Sequence, residues 1–288
     1  MILLWSPGSG KCLAGLYYPG VEQHVFGSSE EDTALNFPWR TDILPHVTFP
    51  YIKTLTPEDT VRFTADTTSE EDIGRLTRIA RARSIIKYRQ YLRRLAVDLN
   101  AGQRPELKTI FLDNFTPFSE DFQDYIQEVY RSEFATAQGN FNSIRFSIVY
   151  NQELASFLRD LVQLPCHVVM SCHIAMSIDE ETAAIANFME DSKKGIRREK
   201  EWQPFVMGKL KYALTGIFTH AFYLYTESQA GLPTKYYAKL EADANNLGIG
   251  KSRVGPFKNP RRIEFPKGKM FETFDAALQS CITTGQPV

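Results

Sequence analysis

Glycines and a lysine near the start of the chain have the types and spacing that bind phosphate groups. The segment Pro7-Gly8-Ser9-Gly10-Lys11 follows a short apolar run, Ile2–Trp5, and precedes residues with helical spacing. Glycines let successive backbone N–H groups converge on oxygen atoms, and a lysine reaches the outer phosphates at the anion-favouring start of a helix. The order of strand, loop and helix therefore predicts a nucleotide-binding loop made of Ser6, Pro7, Gly8, Ser9, Gly10, Lys11, Cys12 and Leu13.

This loop departs at two positions from the pattern G-x-x-x-x-G-K-[ST] of phosphate-binding loops. Trp5 stands at the first glycine of the pattern, and Cys12 stands at the hydroxyl that binds Mg²⁺. A thiol is a poor ligand for this hard cation. The loop still predicts ATP and Mg²⁺ as cofactors, with Cys12 at the metal position. Because of this thiol, nucleotide binding is a safer prediction than hydrolysis. A glycine-rich turn without function is the alternative.

An acid at the end of an apolar segment is the natural second part of such a site. Lys108–Asp113 reads as a buried strand, and its last residue, Asp113, is predicted to be the Walker B acid that orients water around Mg²⁺. In other classes of P-loop protein a catalytic glutamate often follows this acid, but here the next residue is Asn114. A catalytic base that activates water therefore has to come from elsewhere in the chain. Glu30 or Glu31 is a candidate, although a solvated acid is the favoured interpretation of either residue.

A third polar position follows the apolar strand His167–Ser171. His173 lies just past this predicted strand, and ligands of parallel sheets bind at the carboxyl ends of strands. A polar side chain there can sense the γ-phosphate of a nucleotide. A capping or core histidine explains the position equally well.

The elements that must position these residues alternate along the chain. Apolar runs predict strands at 2–5, 23–26, 108–113, 167–171 and 221–225, with 235–238 as a partner of the last. Helical spacing predicts helices at 69–100, 118–131, 152–164 and 270–281. This alternation predicts an α/β fold whose mostly parallel sheet carries helices on both faces. We expect a single domain over 1–288, with a basic helical segment at about 69–100 and a charged connector at about 191–201.

Composition sets broad limits on the class of protein. Hydrophobic residues make up 43% of the chain and charged residues 23%, values that are typical of globular proteins. The net charge of −1 excludes a uniformly basic surface, although not a local basic patch. No stretch reaches the roughly 18 apolar residues of a membrane span, and the few cysteines form no CxxC pair. These features lead us to expect a cytoplasmic protein without a membrane partner.

Taken in order, the motifs resemble those of the phage-encoded RecA-like P-loop ATPases, which include the Sak-type single-strand annealing proteins. The resemblance starts with the loop segment ILLWSPGSGKCLAGLYYPG and continues with TIFLDNFTPF, which is similar to the Walker B strand of the family. HVVMSCH is similar to its third motif, and GIGKSRVGPFKNP to its Lys-x-Arg segment before a proline.

This resemblance implies a RecA-like fold and an ATPase that binds single-stranded DNA during phage recombination or replication, in the host cytoplasm. It also implies a homo-oligomeric ring or filament, with a single-strand-binding protein as a further partner. Lys251 and Arg253 would then be candidates for a finger that reaches the γ-phosphate in a neighbouring subunit, and a solvated basic loop is the equal alternative. The arginines and lysine of the helix at 69–100 are candidate DNA contacts, with a solvated face as the alternative. A nucleotide-binding scaffold without hydrolysis and a nucleotide kinase are the competing functions.

Overall fold

The computed structural model describes residues 2–5, 18–26, 70–136, 140–177, 201–204, 214, 216–228, 231–239, 251–252, 263–267 and 269–286. The chain forms two compact units. One, called the parallel unit here, comprises Pro19–Met170 and Val206–Leu210. The other, called the mixed unit, comprises Met1–Tyr18, Ser171–Phe205 and Lys211–Val288. The strand that contains Met170 and Ser171 belongs to both.

The parallel unit contains a three-stranded parallel sheet. Its strands are β2 (Val21–Val25), β3 (Thr109–Asp113) and the first four residues of β4 (His167–Ser177). Val25 pairs with Asp113, and Thr109 pairs with His167, so β3 has a parallel neighbour on each side. The fold of this unit is therefore mixed α/β around a parallel sheet, as the sequence predicts.

Three α-helices of the parallel unit are described. They are α1 (Glu70–Asn100), α2 (Phe115–Val129) and α3 (Ser143–Val162), with a 3₁₀ helix at Arg131–Phe134. Both α2 and α3 are preceded by an asparagine, Asn114 and Asn142, whose side chain accepts a backbone N–H of the first turn, which is a favourable start for a helix.

An aromatic cluster joins these helices to the sheet. Phe118 of α2 is fully buried, and its ring centroid lies 4.8 Å from that of Phe26, 5.9 Å from Tyr88 on α1 and 5.0 Å from Phe157 on α3. Burying a side chain of this size stabilises the fold by about 2 kcal/mol. The helices are thus held against the end of β2 by one shared core.

The mixed unit combines parallel and antiparallel pairs. β1 (Ile2–Trp5) runs parallel to β6 (His220–Glu227), which pairs antiparallel with β7 (Lys235–Lys239). Three further pairs are antiparallel: β8 (Lys251–Ser252) on β6, β9 (Ile263–Phe265) on β7, and β5 (Glu201–Pro204) on the later part of β4. The expected parallel order thus holds for the parallel unit, whereas antiparallel pairs dominate among the described strands here.

A terminal helix, α4 (Met270–Thr284), packs on the strands of the mixed unit. The ring of Phe274 lies 5.1 Å from the rings of both Phe222 and His220 on β6. Among the residues that the structure describes, no helix has the length and apolar character needed to cross a membrane.

Most predicted elements are confirmed, with changes at their ends. The strand at 2–5 and the long helix are confirmed, whereas α2 and α3 begin earlier than predicted, at Phe115 and Ser143. β4 continues six residues past its predicted end, to Ser177. Two short strands were not predicted: β8 lies in the segment GIGKSRVGPFKNP, and β5 starts at the last residue of the predicted connector. Both short strands rely on pairing with distant segments, which local composition does not reveal.

Candidate nucleotide-binding site

Asp113 is the last residue of β3 and its side chain is fully buried. Its Oδ2 accepts a hydrogen bond from Gln23 Nε2 at 3.0 Å, and its backbone carbonyl accepts from Phe26 N at 2.8 Å. The carboxyl ends of parallel strands are where ligands bind in open α/β sheets. The structure therefore places a buried carboxylate at the carboxyl end of β3, which is the end of a parallel sheet at which ligands bind.

The residue after Asp113 serves the helix that follows. A cis peptide bond joins Asp113 to Asn114, and Asn114 Oδ1 accepts the backbone N–H of Thr116 at 2.9 Å. Asn114 is fully buried. Its side chain caps α2, which is a structural role and not that of a proton acceptor.

Gln23 is the residue of this site that the sequence analysis missed. It lies on β2, 90 residues before Asp113 in the chain, and is buried. Its Nε2 faces the carboxylate, and its Oε1 is buried without a hydrogen-bond partner, the one such side-chain atom among the described residues. A buried acceptor without a donor costs about 1–3 kcal/mol. The only sequence signal is the run of polar residues Glu22, Gln23 and His24 inside an otherwise buried strand.

Glu22 and His24 point to the opposite face of β2, because side chains alternate along a strand. Both are buried, and His24 Nε2 donates to Glu22 Oε1 at 2.8 Å. His24 Nδ1 lies 2.7 Å from the hydroxyl of Tyr88 on α1. When the imidazole of His24 is neutral and Nε2 carries its proton, the Tyr88 hydroxyl is the donor of this hydrogen bond. Glu22 also accepts from the hydroxyl of Tyr91 and, at 2.9 Å, from Arg104 Nη2.

This network keeps Glu22 ionised. Burial acts to raise the pKa of its carboxyl, but the hydrogen bonds with His24, Tyr91 and Arg104 outweigh burial and lower the pKa to about 2. One face of β2 is therefore anchored to α1 and to the segment after it. The other face presents Gln23 to Asp113.

Two further predicted site residues lie in the mixed unit. His173 is half-buried and lies inside β4, so the prediction that it follows the end of a strand is wrong. The strand is longer because its later part pairs with β5. The backbone carbonyl of His173 accepts from Cys172 Sγ at 3.3 Å. Lys251 is the first residue of β8 and pairs with Ala221 of β6.

Other predictions fall outside the described residues. These include the loop residues Ser6, Pro7, Gly8, Ser9, Gly10, Lys11, Cys12 and Leu13, together with Glu30 and Arg253. The strand that precedes the loop, β1, is described and ends at Trp5. The strand part of the predicted strand–loop–helix motif is thus confirmed.

No group of three or more His, Cys, Asp and Glu side chains is placed to hold a metal ion within the described ranges. A nucleotide-bound Mg²⁺ takes most of its ligands from phosphates and water and few from protein. Asp113 is the described residue that fits such a site, since its carboxylate is a hard oxygen donor.

Comparison with known proteins adds no relative, because no protein-family model matches the chain and no curated protein is significantly similar to it.

Proposed function

We propose that this protein is a RecA-like P-loop ATPase that acts on single-stranded DNA in recombination or replication. In this proposal, Gly8, Gly10 and Lys11 bind the phosphates of ATP, and Asp113 orients water on the associated Mg²⁺. The observation that carries the proposal is the buried Asp113 carboxylate at the carboxyl end of β3, held by Gln23. DNA-dependent activity rests on the resemblance of the ordered motifs to the phage family.

The surroundings of Asp113 support a ligand of this chemistry. Asp113 supplies acceptor oxygens, and Gln23 Oε1 is a second acceptor that lacks a donor. Water coordinated to a divalent cation donates hydrogen bonds, so these two side chains suit a hydrated cation better than they suit an anion. Mg²⁺ with ATP would supply charge neutralisation of the transferring phosphoryl group. Gln23 and Asp113 would hold water in a fixed orientation beside it.

A nucleotide-binding scaffold without hydrolysis is the second candidate, and one observation favours it. The position after Asp113 holds Asn114, whose side chain is committed to capping α2. This side chain cannot accept a proton from water as a glutamate can. Hydrolysis would then depend on a base elsewhere, such as Glu30.

Binding and turnover of ATP test the proposal. The full chain would be titrated with a fluorescent ATP analogue and assayed for phosphate release with Mg²⁺, with and without oligo(dT). We expect Lys11→Ala to abolish binding, because it removes the charge that faces the phosphates. Asp113→Asn should retain binding and lose about 100-fold or more of the turnover, the usual cost of losing one charge-stabilising group. Asp160 is exposed on α3, so Asp160→Asn is the control and should bind and turn over ATP as the wild type does.

The outcomes separate the candidates. Failure of the wild-type chain to bind ATP, or full turnover in Asp113→Asn, would refute the proposal. Tight binding without turnover, with or without DNA, would favour the scaffold. Transfer of the γ-phosphate to a nucleotide acceptor would indicate a kinase. A Cys12→Thr variant should raise Mg²⁺-dependent turnover, because it restores a hydroxyl at the metal position.

A further inference from the structure

A cleft of about 420 Å³ lies beside the first turns of α1 in the parallel unit. Its size is that of a pocket for a small ligand or one nucleotide unit. We call it the arginine cleft, because three arginines contribute to its lining. It is lined by Arg75, Arg78, Gln127, Glu128, Arg131, Phe134 and Phe141.

The tertiary structure divides the arginines of α1 into different groups. Arg81 pairs with Asp121 and Asp124, each at 3.3 Å. Arg89 donates to the Tyr125 hydroxyl at 2.7 Å and faces Glu153 at 3.5 Å. These two arginines hold α1 against α2 and α3.

Arg75 and Arg78 line the cleft, and Arg78 is also close enough to Asp124 of α2 to favour its ionised form. They are three residues apart on α1, so they share one face of the helix, and both are exposed. Arg131, at the start of the 3₁₀ helix, brings a third positive charge to the same cleft. Glu128 is the one acid in the lining. The cleft therefore has an excess of positive charge.

Phe141 adds an exposed aromatic ring to these charges. It is 56% exposed, yet its ring centroid lies 5.9 Å from that of the buried Phe134 and 5.6 Å from that of the buried Phe146. The backbone around it is also held, since Asn142 N donates to the carbonyl of Phe134 at 2.7 Å. The ring is thus supported on one side and open to solvent on the other.

We propose that the arginine cleft binds single-stranded DNA, with phosphates on Arg75, Arg78 and Arg131 and an unpaired base stacked on Phe141. Guanidinium groups pair well with phosphate oxygens, and an aromatic ring accepts the face of any base. Bases inside a duplex are already stacked, so an open aromatic ring beside arginines favours a single strand. The inference rests on the proposed function and assigns its DNA contact to described residues.

Fluorescence anisotropy with labelled oligo(dT) over a range of salt concentrations tests the cleft. Log affinity falls as log salt rises, and removing a phosphate contact makes this slope less steep by about 0.7 for single strands. The double variant Arg75→Gln and Arg78→Gln should therefore make the slope less steep by about 1.4. Arg131→Gln should make it less steep by about 0.7. Arg94→Gln, an exposed arginine later on α1 outside the cleft, is the matched control and should leave the slope unchanged.

Stacking is tested by a change that keeps the charge. Phe141→Ala should weaken binding by about 5-fold or more, the effect of one lost base–aromatic contact, without changing the salt slope. Phe141→Tyr should bind as wild type. If Phe141→Ala is poorly folded, Phe141→Leu retains apolar contact with Phe134 and Phe146 but lacks the flat ring, and it should show the same loss.

The results distinguish this inference from the proposed function. Wild-type slope and affinity in the cleft variants would overturn the cleft and leave a DNA-dependent ATPase intact. Absence of oligo(dT) binding by the wild-type chain, with and without ATP, would overturn the cleft and the DNA part of the function together. Equal binding of duplex and single strand, insensitive to Phe141→Ala, would overturn the choice of a single strand. ATP binding that depends on Lys11 is measured separately, so its failure does not depend on the cleft.

Discussion

Replacing Glu22 by glutamine is expected to destabilise the protein at neutral pH and to have little effect in strong acid. The side chain is buried and accepts hydrogen bonds from His24, Tyr91 and Arg104. Glutamine has nearly the same shape, so the change removes the charge without opening a cavity. It removes one of the two carboxylates that pair with Arg104, the buried one, and leaves the exposed Glu106 as the other.

The size of the effect follows from the pKa of the carboxyl. An ordinary value of 4.5 falls to about 2 in the folded chain. Since each tenfold change in an equilibrium constant is 1.36 kcal/mol, the ionised form of Glu22 contributes about 3 kcal/mol to stability. Because the folded-state pKa is the lower one, this contribution is complete above about pH 4.5 and is lost as the pH falls towards 2.

Urea unfolding of the full chain at pH 7, 5, 4 and 3 measures the effect. The free energy of unfolding of Glu22→Gln should lie about 3 kcal/mol below that of the wild type at pH 7. The gap should narrow below pH 4.5. Glu106→Gln is the matched control, because Glu106 accepts from the same Arg104, at 2.5 Å, but is exposed to solvent. It should change stability little.

Two results would refute this reasoning. One is equal stability of Glu22→Gln and wild type at pH 7, which would mean that the charge of the buried network contributes nothing. The other is a difference that stays constant from pH 7 to pH 3, which would assign the effect to packing and not to ionisation.

Two further predictions concern a turn and a buried acid. Gly20→Ala should lower the melting temperature more than Gly102→Ala does. A Cβ at Gly20 would lie 2.2 Å from the carbonyl oxygen of Glu106, whereas a Cβ at Gly102 would meet nothing within 4 Å. Both glycines have positive φ, so equal losses of melting temperature would contradict the steric explanation. Burial raises the pKa of Asp121 to about 7 despite the nearby Arg81, so its ionisation lowers stability as the pH rises from about 4 through 7. Asp121→Asn should therefore melt at a higher temperature than wild type at pH 8 but not at pH 4, and identical melting at pH 8 would contradict the pKa.

The elements that depend on residues close together in the chain could be predicted from the sequence. The apolar run at β1, the acid-rich start and long periodic body of α1, and the apolar β3 ending in Asp113 each produce a local pattern. Strand pairing does not, because its hydrogen bonds join segments far apart in the chain. For this reason β5 and β8 were missed and β4 was predicted too short.

The candidate site divides in the same way. The sequence alone predicts a phosphate-binding motif after β1, and it correctly predicted that an acid ends a buried strand, because both are properties of short contiguous segments. The tertiary structure decided that Gln23 holds Asp113 across 90 residues, and that Arg75 and Arg78 line a cleft with Phe141 whereas Arg81 pairs with acids of α2. Arginines at helical spacing look alike in a sequence, and only the surfaces packed against each turn of the helix give them different partners.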